Sequence, residues 1–167
     1  MRAGRIESPL GEIAFVVRDG RLTALEFTGR REGGAPAPET ADVAARLEAY
    51  FQGDLDALEA IETDAGGTEF QRLVWRELRR IPVGETRSYK EIARAIGRPR
   101  AVRAVGAANG QNPIGIVVPC HRVIGADGSL TGYAGGIERK RWLLEHEGAL
   151  QTADPAAKPV DQAAWKL

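Results

Sequence analysis

The single cysteine of this chain, Cys120, is followed directly by His121, one of only two histidines, and then by Arg122. A thiol beside an imidazole is the raw material of a Cys–His nucleophile. The ordinary thiol pKa, ~8.5, leaves sulfur mostly protonated at neutral pH, and a neighbouring base raises the thiolate fraction. A lone cysteine in an apolar run is more often a small inert hydrophobe. Here, however, Pro119 breaks the run 114–118, two polar residues follow the thiol, and five glycines lie between positions 125 and 136. That placement predicts a sulfur at a strand end facing a cleft, where binding residues concentrate. Adjacent side chains point apart in a strand, so the residues alone allow a direct Cys–His bond or a relay through one water if the chain turns at Pro119. One cysteine cannot form an internal disulfide, and the expected compartment is the cytoplasm.

These groups must be carried by a scaffold, and the hydrophobic pattern suggests which. Ile13, Phe15 and Val17 alternate, Asp19-Gly20 signals a tight turn, and Leu22, Leu25 and Phe27 follow, predicting a small antiparallel sheet within residues 6–27. Residues 28–39 read as a glycine- and proline-rich loop, and a helix is expected from Thr40 through Leu47 and Phe51 to Gly53. The paired glycines of Asp64-Ala65-Gly66-Gly67 mark a linker. Beyond it, Thr68-Glu69-Phe70-Gln71 is a capping-box pattern that opens a helix with Phe70, Val74, Leu78 and Ile81 on one face, and Trp75 is expected in the core. Ser88-Tyr89-Lys90-Glu91 is a second such box, starting a short helix through Ile92 and Ile96 that ends at Gly97. Arg98-Pro99 suits the start of a third helix, with Val102, Val105 and Ala108 inward and Arg100 and Arg103 outward. Together these two make a helix-turn-helix, and the small residues Ala101, Ala104 and Ala107 would let its second helix lie against either a duplex or another helix. A last helix runs from about Ile137 to Gly148. The domains expected are therefore an α+β unit over residues 1–65, a mainly helical unit over 68–148, and a tail over 149–167 without periodicity.

With 167 residues and 43% hydrophobic composition the chain can bury a substantial core. It lacks both a signal-peptide pattern at its start and an apolar run long enough to span a bilayer, so no membrane partner is expected. Its formal net charge is zero, but the charges are uneven. Residues 1–67 carry 7 basic and 13 acidic side chains, whereas residues 68–105 carry 10 and 4, a local balance of +6. A phosphate backbone meets that local segment, not the average.

Pro119-Cys120-His121-Arg122-Val123-Ile124 resembles the acceptor motif of the O6-alkylguanine-DNA alkyltransferases, also called methylated-DNA-protein-cysteine methyltransferases. Ser88-Tyr89, the stretch from Arg100 to Gly110, Asn112-Pro113, Thr131-Gly132-Tyr133-Ala134-Gly135-Gly136 and Leu144-Glu145-His146-Glu147-Gly148 follow that family's order and spacing. The resemblance covers residues 68–148 strongly and residues 1–65 weakly.

The resemblance implies a small ribonuclease-H-like antiparallel sheet with a helix, followed by a winged-helix-like domain bearing the helix-turn-helix. It implies that Cys120 accepts the alkyl group in a single irreversible turnover without a cofactor, that His121 is its base through a bound water, and that Glu147 orients the imidazole. Asn112 would hold the active-site loops together. Arg103 would fill the place of a nucleotide rotated out of the stack, while Tyr89 helps rotate it and donates to the guanine ring. Val123, Tyr133, Ala134 and Gly135 would line the base pocket, Val123 through its backbone. The helix with Arg100, Arg103 and Ala104 would enter the minor groove of double-stranded DNA carrying O6-alkylguanine, the protein acting as a monomer. Some relatives have serine at the place of Ala134, and some bind zinc in the first domain; the cysteine and histidine ligands for zinc are missing here, so no metal is expected. Two other classes fit less well. A non-catalytic lesion-binding protein would have no need of Cys120, and a thiol hydrolase would leave the basic helix-turn-helix and Arg103 unexplained.

Overall fold

The computed structural model describes residues 1–27 and 38–150. The loop expected over 28–39 and the tail expected over 149–167 therefore lie largely outside the described residues. The described residues form two compact units, one from residues 1–66 with 113–117, the other from residues 67–112 with 118–150.

In the first unit, β1 (Arg2–Ser8), β2 (Gly11–Arg18) and β3 (Arg21–Phe27) make an antiparallel sheet in chain order. The β2–β3 hairpin turns on Asp19 and Gly20, both at positive φ (51° and 77°), the two-residue turn whose twist matches the strands. Alternation buries Ile13, Phe15 and Val17 together with Leu22 and Leu25. Gly4 pairs with Phe15, and a Cβ there would lie 2.4 Å from the Phe15 ring, so glycine is what lets the ring lie across β1. Helix α1 (Pro38–Phe51) covers the sheet with Val43, Leu47 and Tyr50. The free edge of β3 is taken by two short returns of the chain: Leu22 bonds the backbone at Glu62 and Asp64, and the Leu25 N–H donates to the Pro113 carbonyl.

The run 114–118 is buried as its composition suggests, but only Ile114 pairs with a strand. Ile116 sits at φ 68° beneath an N–H of Val117 that reaches back to the Gly115 carbonyl, a strained three-residue turn for a β-branched side chain. A ladder cannot continue through such a turn, which corrects the reading of Cys120 as a strand end. Pro119 (φ −82°, ψ 64°) forms the milder inverse turn, its neighbours joined by Cys120 N–H to Val118 C=O, and Cys120 then opens a 3-10 helix, Cys120–Arg122.

The second unit holds α2 (Glu69–Leu78), β4 (Arg87–Ser88), α3 (Tyr89–Ala95), α4 (Val102–Gly110), β5 (Val123–Ile124) and α5 (Ile137–His146). Both capping boxes form as expected, with reciprocal bonds between Thr68 and Gln71 and between Ser88 and Glu91. Trp75 is buried and donates its indole N–H to the Ala108 carbonyl at 2.8 Å, joining α2 to α4. Pro99 does not start the third helix. Gly97, at φ 74°, and Arg98 close α3 with N–H bonds to Arg94 and Ala93. The Ala101 N–H then reaches Arg98 across Pro99 and Arg100, so proline serves a turn and α4 begins at Val102. The two-residue strands β4 and β5 pair in parallel, Arg87 with Val123 and Ser88 with Ile124, which brings the start of α3 beside the end of the 3-10 helix.

The cap at Ser88 therefore does more than start a helix, because Tyr89 is the first residue after it. Ser88→Ala should destabilise the protein by about 1 kcal/mol, read as a melting temperature lower by roughly 2–4 °C, whereas Ser88→Thr should hold close to the unaltered value. Thermal denaturation of the three proteins measures this.

Candidate active site

Cys120, His121 and Arg122 occupy one turn of 3-10 helix and all three are buried. What surrounds them comes from five other places in the second unit: the end of α2, the start of α3, the end of α4, the loop between β5 and α5, and α5 itself.

The centre of the arrangement is Glu147, whose side chain is fully buried. Its carboxylate takes one bond from His121 Nε2 at 2.9 Å and two from Arg122, Nε at 2.8 Å and a terminal nitrogen at 3.1 Å. The other Arg122 terminal nitrogen donates to the Ile81 carbonyl beyond α2 at 2.7 Å. Burial alone would push the Glu147 carboxyl up, but His121 and Arg122 outweigh it and hold it well below the usual carboxylate range. Glu147 caps the last turn of α5, where the helix dipole disfavours a negative charge, and these two partners are what make it tenable there. An ionised carboxylate only accepts, so His121 carries its proton on Nε2 and its Nδ1 lone pair is the basic one. That Nδ1 is buried and bonds no described protein atom. Burial depresses the His121 pKa against the opposing pull of Glu147, so the ring is neutral near pH 7.

Burial pushes the Cys120 thiol up, and hydrogen bonding from Asn112 and the positive charge of Lys140 pull the other way. The resting pair is thus a protonated thiol beside a neutral imidazole, a base held ready rather than a preformed thiolate. Asn112 Nδ2 also donates to the Val118 carbonyl at 2.8 Å, clamping the residue two before the thiol. Asn109, at the end of α4, makes a longer bond to the Cys120 carbonyl.

Tyr89 is buried with its hydroxyl 2.5 Å from Thr131 Oγ1. Tyr133 is half-buried, its hydroxyl is buried and bonds no described protein atom, and its ring stands edge-on to His121 with centroids 6.5 Å apart. Both tyrosines, whose pKa values burial raises, feel the charge that a Cys120 thiolate would carry. Ala134 is exposed and Gly135 half-buried, its carbonyl taken by Arg139. The Val123 carbonyl accepts from Lys140 Nζ at 2.6 Å, and a carbonyl has a second lone pair to offer. Arg100, Arg103 and Ala104 lie exposed on the turn and outer face of α4, together with Ala107.

The structure thus gathers Cys120, His121, Glu147, Asn112, Tyr89, Tyr133 and Val123 around one thiol, and sets Arg100, Arg103 and Ala104 apart from them on a solvent face. Three participants escaped the sequence reading. Arg122 reads in the sequence only as a polar residue, although a cation in an otherwise apolar run needs a buried counter-charge. Lys140 is fully buried and its pKa is lowered to about 8, chiefly by burial. Its spacing three after Ile137 and four before Leu144 places it on the apolar stripe of α5, a legible signal. Thr131 opens the Thr131–Gly136 motif, which by itself assigns it no role. Among the described residues no group of three or more His, Cys, Asp or Glu side chains could hold a metal ion.

Replacing the central carboxylate tests this reading. Glu147→Gln keeps the shape and leaves Arg122 buried without its counter-ion, at a cost of about 3–5 kcal/mol at neutral pH. The folded-state pKa of Glu147 lies below its unfolded value of about 4.3, so its contribution is complete above that pH and is lost as the pH falls toward the folded value. Urea unfolding between pH 7 and 3 should therefore show the stability curves of the two proteins converging on the acid side. Parallel curves would mean that the carboxylate is not the paired charge.

Residues 69–149 match the model of the 6-O-methylguanine DNA methyltransferase DNA-binding domain. The methylated-DNA–protein-cysteine methyltransferase of Salmonella typhimurium is 48% identical over 162 residues, covering 87% of this chain and 95% of that protein. That of Mycolicibacterium paratuberculosis is 53% identical over 148 residues, covering 85% and 89%. Among solved structures, Mycobacterium tuberculosis OGT in complex with DNA superposes with a TM-score of 0.78 at 49% identity, covering 89% of this chain and 94% of that one. The O6-methylguanine-DNA methyltransferase of Pyrococcus kodakaraensis does so at 0.59 and 28% identity, over 87% and 98%. With about half its residues shared along most of the length of the Salmonella and mycobacterial relatives, the chain belongs to the methylated-DNA–protein-cysteine methyltransferase family.

Proposed function

We propose that this protein repairs O6-alkylguanine in duplex DNA by moving the alkyl group onto Cys120 in one irreversible turnover. The observation that carries the proposal is the buried thiol beside a neutral imidazole whose Nε2–H is fixed on Glu147. His121 Nδ1 takes the thiol proton, through a bound water, as sulfur attacks the alkyl carbon. The S–C bond forms as the C–O6 bond breaks, and guanine leaves with the bonding electrons. Tyr89 delivers a proton to the departing ring. The imidazolium then gives up its proton and the phenolate takes one from solvent, so the net transfer is of the thiol proton to guanine. The thioether has no leaving path, and the protein is spent.

Chemistry at O6 requires the nucleotide to leave the stack. We read the exposed face of α4 as the element that enters the minor groove, its small residues Ala104 and Ala107 allowing close approach and Arg103 occupying the vacated place. Arg100 would pair with phosphate, and Val123, Tyr133, Ala134 and Gly135 would enclose the base, with a backbone donor standing where some relatives offer a serine hydroxyl. In this reading the sheet unit is ribonuclease-H-like, the helical unit winged-helix-like, and the protein works as a cytoplasmic monomer without a cofactor. Among the described residues no helix is long and apolar enough to cross a membrane.

Incubating the protein with duplex DNA carrying O6-methylguanine and weighing it intact should show one added methyl group, located on Cys120 by fragmentation. Tight binding with no mass gain would replace the proposal by a lesion-binding role, and turnover far beyond one equivalent would point to hydrolysis. Arg103→Ala should slow repair of the duplex by a factor of ten or so, on the order of the stacking energy it replaces, while reaction with free O6-methylguanine base is nearly unchanged. Equal loss on both substrates would remove Arg103 from the flipping step.

A further inference from the structure

Tyr89 and Thr131 are both buried, 8% and 3% exposed, and their hydroxyl oxygens lie 2.5 Å apart. A contact that short holds one shared proton between two oxygens that own two. If Tyr89 donates, its only proton is engaged with Thr131 and cannot be offered to a base. If Thr131 donates, the phenolic proton is free to point elsewhere and the phenolic oxygen gains a donor. Among the described residues no other side-chain partner of the Thr131 hydroxyl stands against this second arrangement.

The scaffold holds both residues in place. Tyr89 follows the Ser88–Glu91 capping box at the start of α3, and β4 just before it is laddered to β5. Thr131 follows Leu130, which is packed with Ile137 and Leu144 of α5 in one buried cluster. The hydroxyl of Thr131 can therefore rotate while its oxygen stays where it is.

We propose that Thr131 is a positioning residue for the leaving-group step: by donating to the Tyr89 oxygen it frees the phenolic proton for guanine and stabilises the phenolate left behind. This rests on the alkyl-acceptor reading above and adds to it a residue that acts through Tyr89, not through Cys120. Burial raises the Tyr89 pKa, and the Thr131 bond is the one influence that lowers it. A neutral phenol needs that donor little; a developing phenolate in a dry site needs it far more, because hydrogen bonds to charged groups are the stronger ones.

The test compares Thr131→Val, which keeps the shape and removes the hydroxyl, with Thr131→Ser, which restores it. Single-turnover methyl transfer from duplex O6-methylguanine should slow by about 10- to 100-fold in the valine variant, the range expected for a bond to a charged group, and recover in the serine variant. Methylation of Cys120 by iodomethane, whose iodide leaves without a proton, should be nearly the same in all three. In a Tyr89→Phe background the valine substitution should cost nothing more, since the two act as one unit. Full speed in Thr131→Val, equal slowing toward iodomethane, or additive loss with Tyr89→Phe would each overturn the inference. A failure of the unaltered protein to take a methyl group from DNA would overturn the alkyl-acceptor reading instead, so the two failures are distinct.

Discussion

One buried carboxylate organises the catalytic end of this protein. Glu147 stands at the C-terminus of a helix, out of water, where both the dipole and desolvation oppose its charge. It stays ionised only because Arg122 grips both of its oxygens and His121 adds a third bond. In return it fixes the tautomer of His121 and anchors the 3-10 helix on which Cys120 sits. Arg122 passes the anchorage on to the Ile81 carbonyl, so the ends of α2 and α5 are tied through the turn that carries the thiol.

The same arrangement sets the protonation states. A carboxylate facing imidazole alone would draw a proton onto the ring and spoil it as a base. Here the guanidinium satisfies the carboxylate's charge, and burial keeps His121 neutral. Burial likewise keeps Cys120 protonated. In the proposed reaction the thiol is thus deprotonated only as it attacks, which suits a group that can be used only once.

Much of this was legible in the sequence where local chemistry governs. Both capping boxes, the Asp19-Gly20 hairpin, the glycine closing α3 and the core stripe of α2 follow from short-range rules, and all are formed. The misreadings arose where a residue has two lawful uses. Pro99 suits a first helical position or the second position of a turn, and the Ala101 N–H, bonded back to the Arg98 carbonyl with α4 opening only at Val102, decides for the turn. The run 114–118 has strand composition, but the tight turns at Ile116 and Pro119 break its ladder. Side chains near Cys120 such as His121 and Glu147 were found through a motif. Lys140 on the apolar stripe of α5 and Arg122 in an apolar run are visible as misplaced cations, but which groups they meet, and any role for Thr131, follow only from three-dimensional neighbours.

The passage of residues 113–117 through the first unit has a consequence for how the chain is made. The Pro113 carbonyl and Ile114 complete the hydrogen bonding of β3 at Leu25, almost ninety positions earlier in the sequence. During synthesis from the N-terminus, the sheet emerges long before the segment that seals its edge, and α2, α3 and α4 must all be made in between. Until then the Leu25 stretch is an open strand edge, the kind that accepts foreign strands. The two units are therefore stitched by the chain rather than strung along it, and a cut between them at the glycine linker would leave the sheet without one of its own pieces.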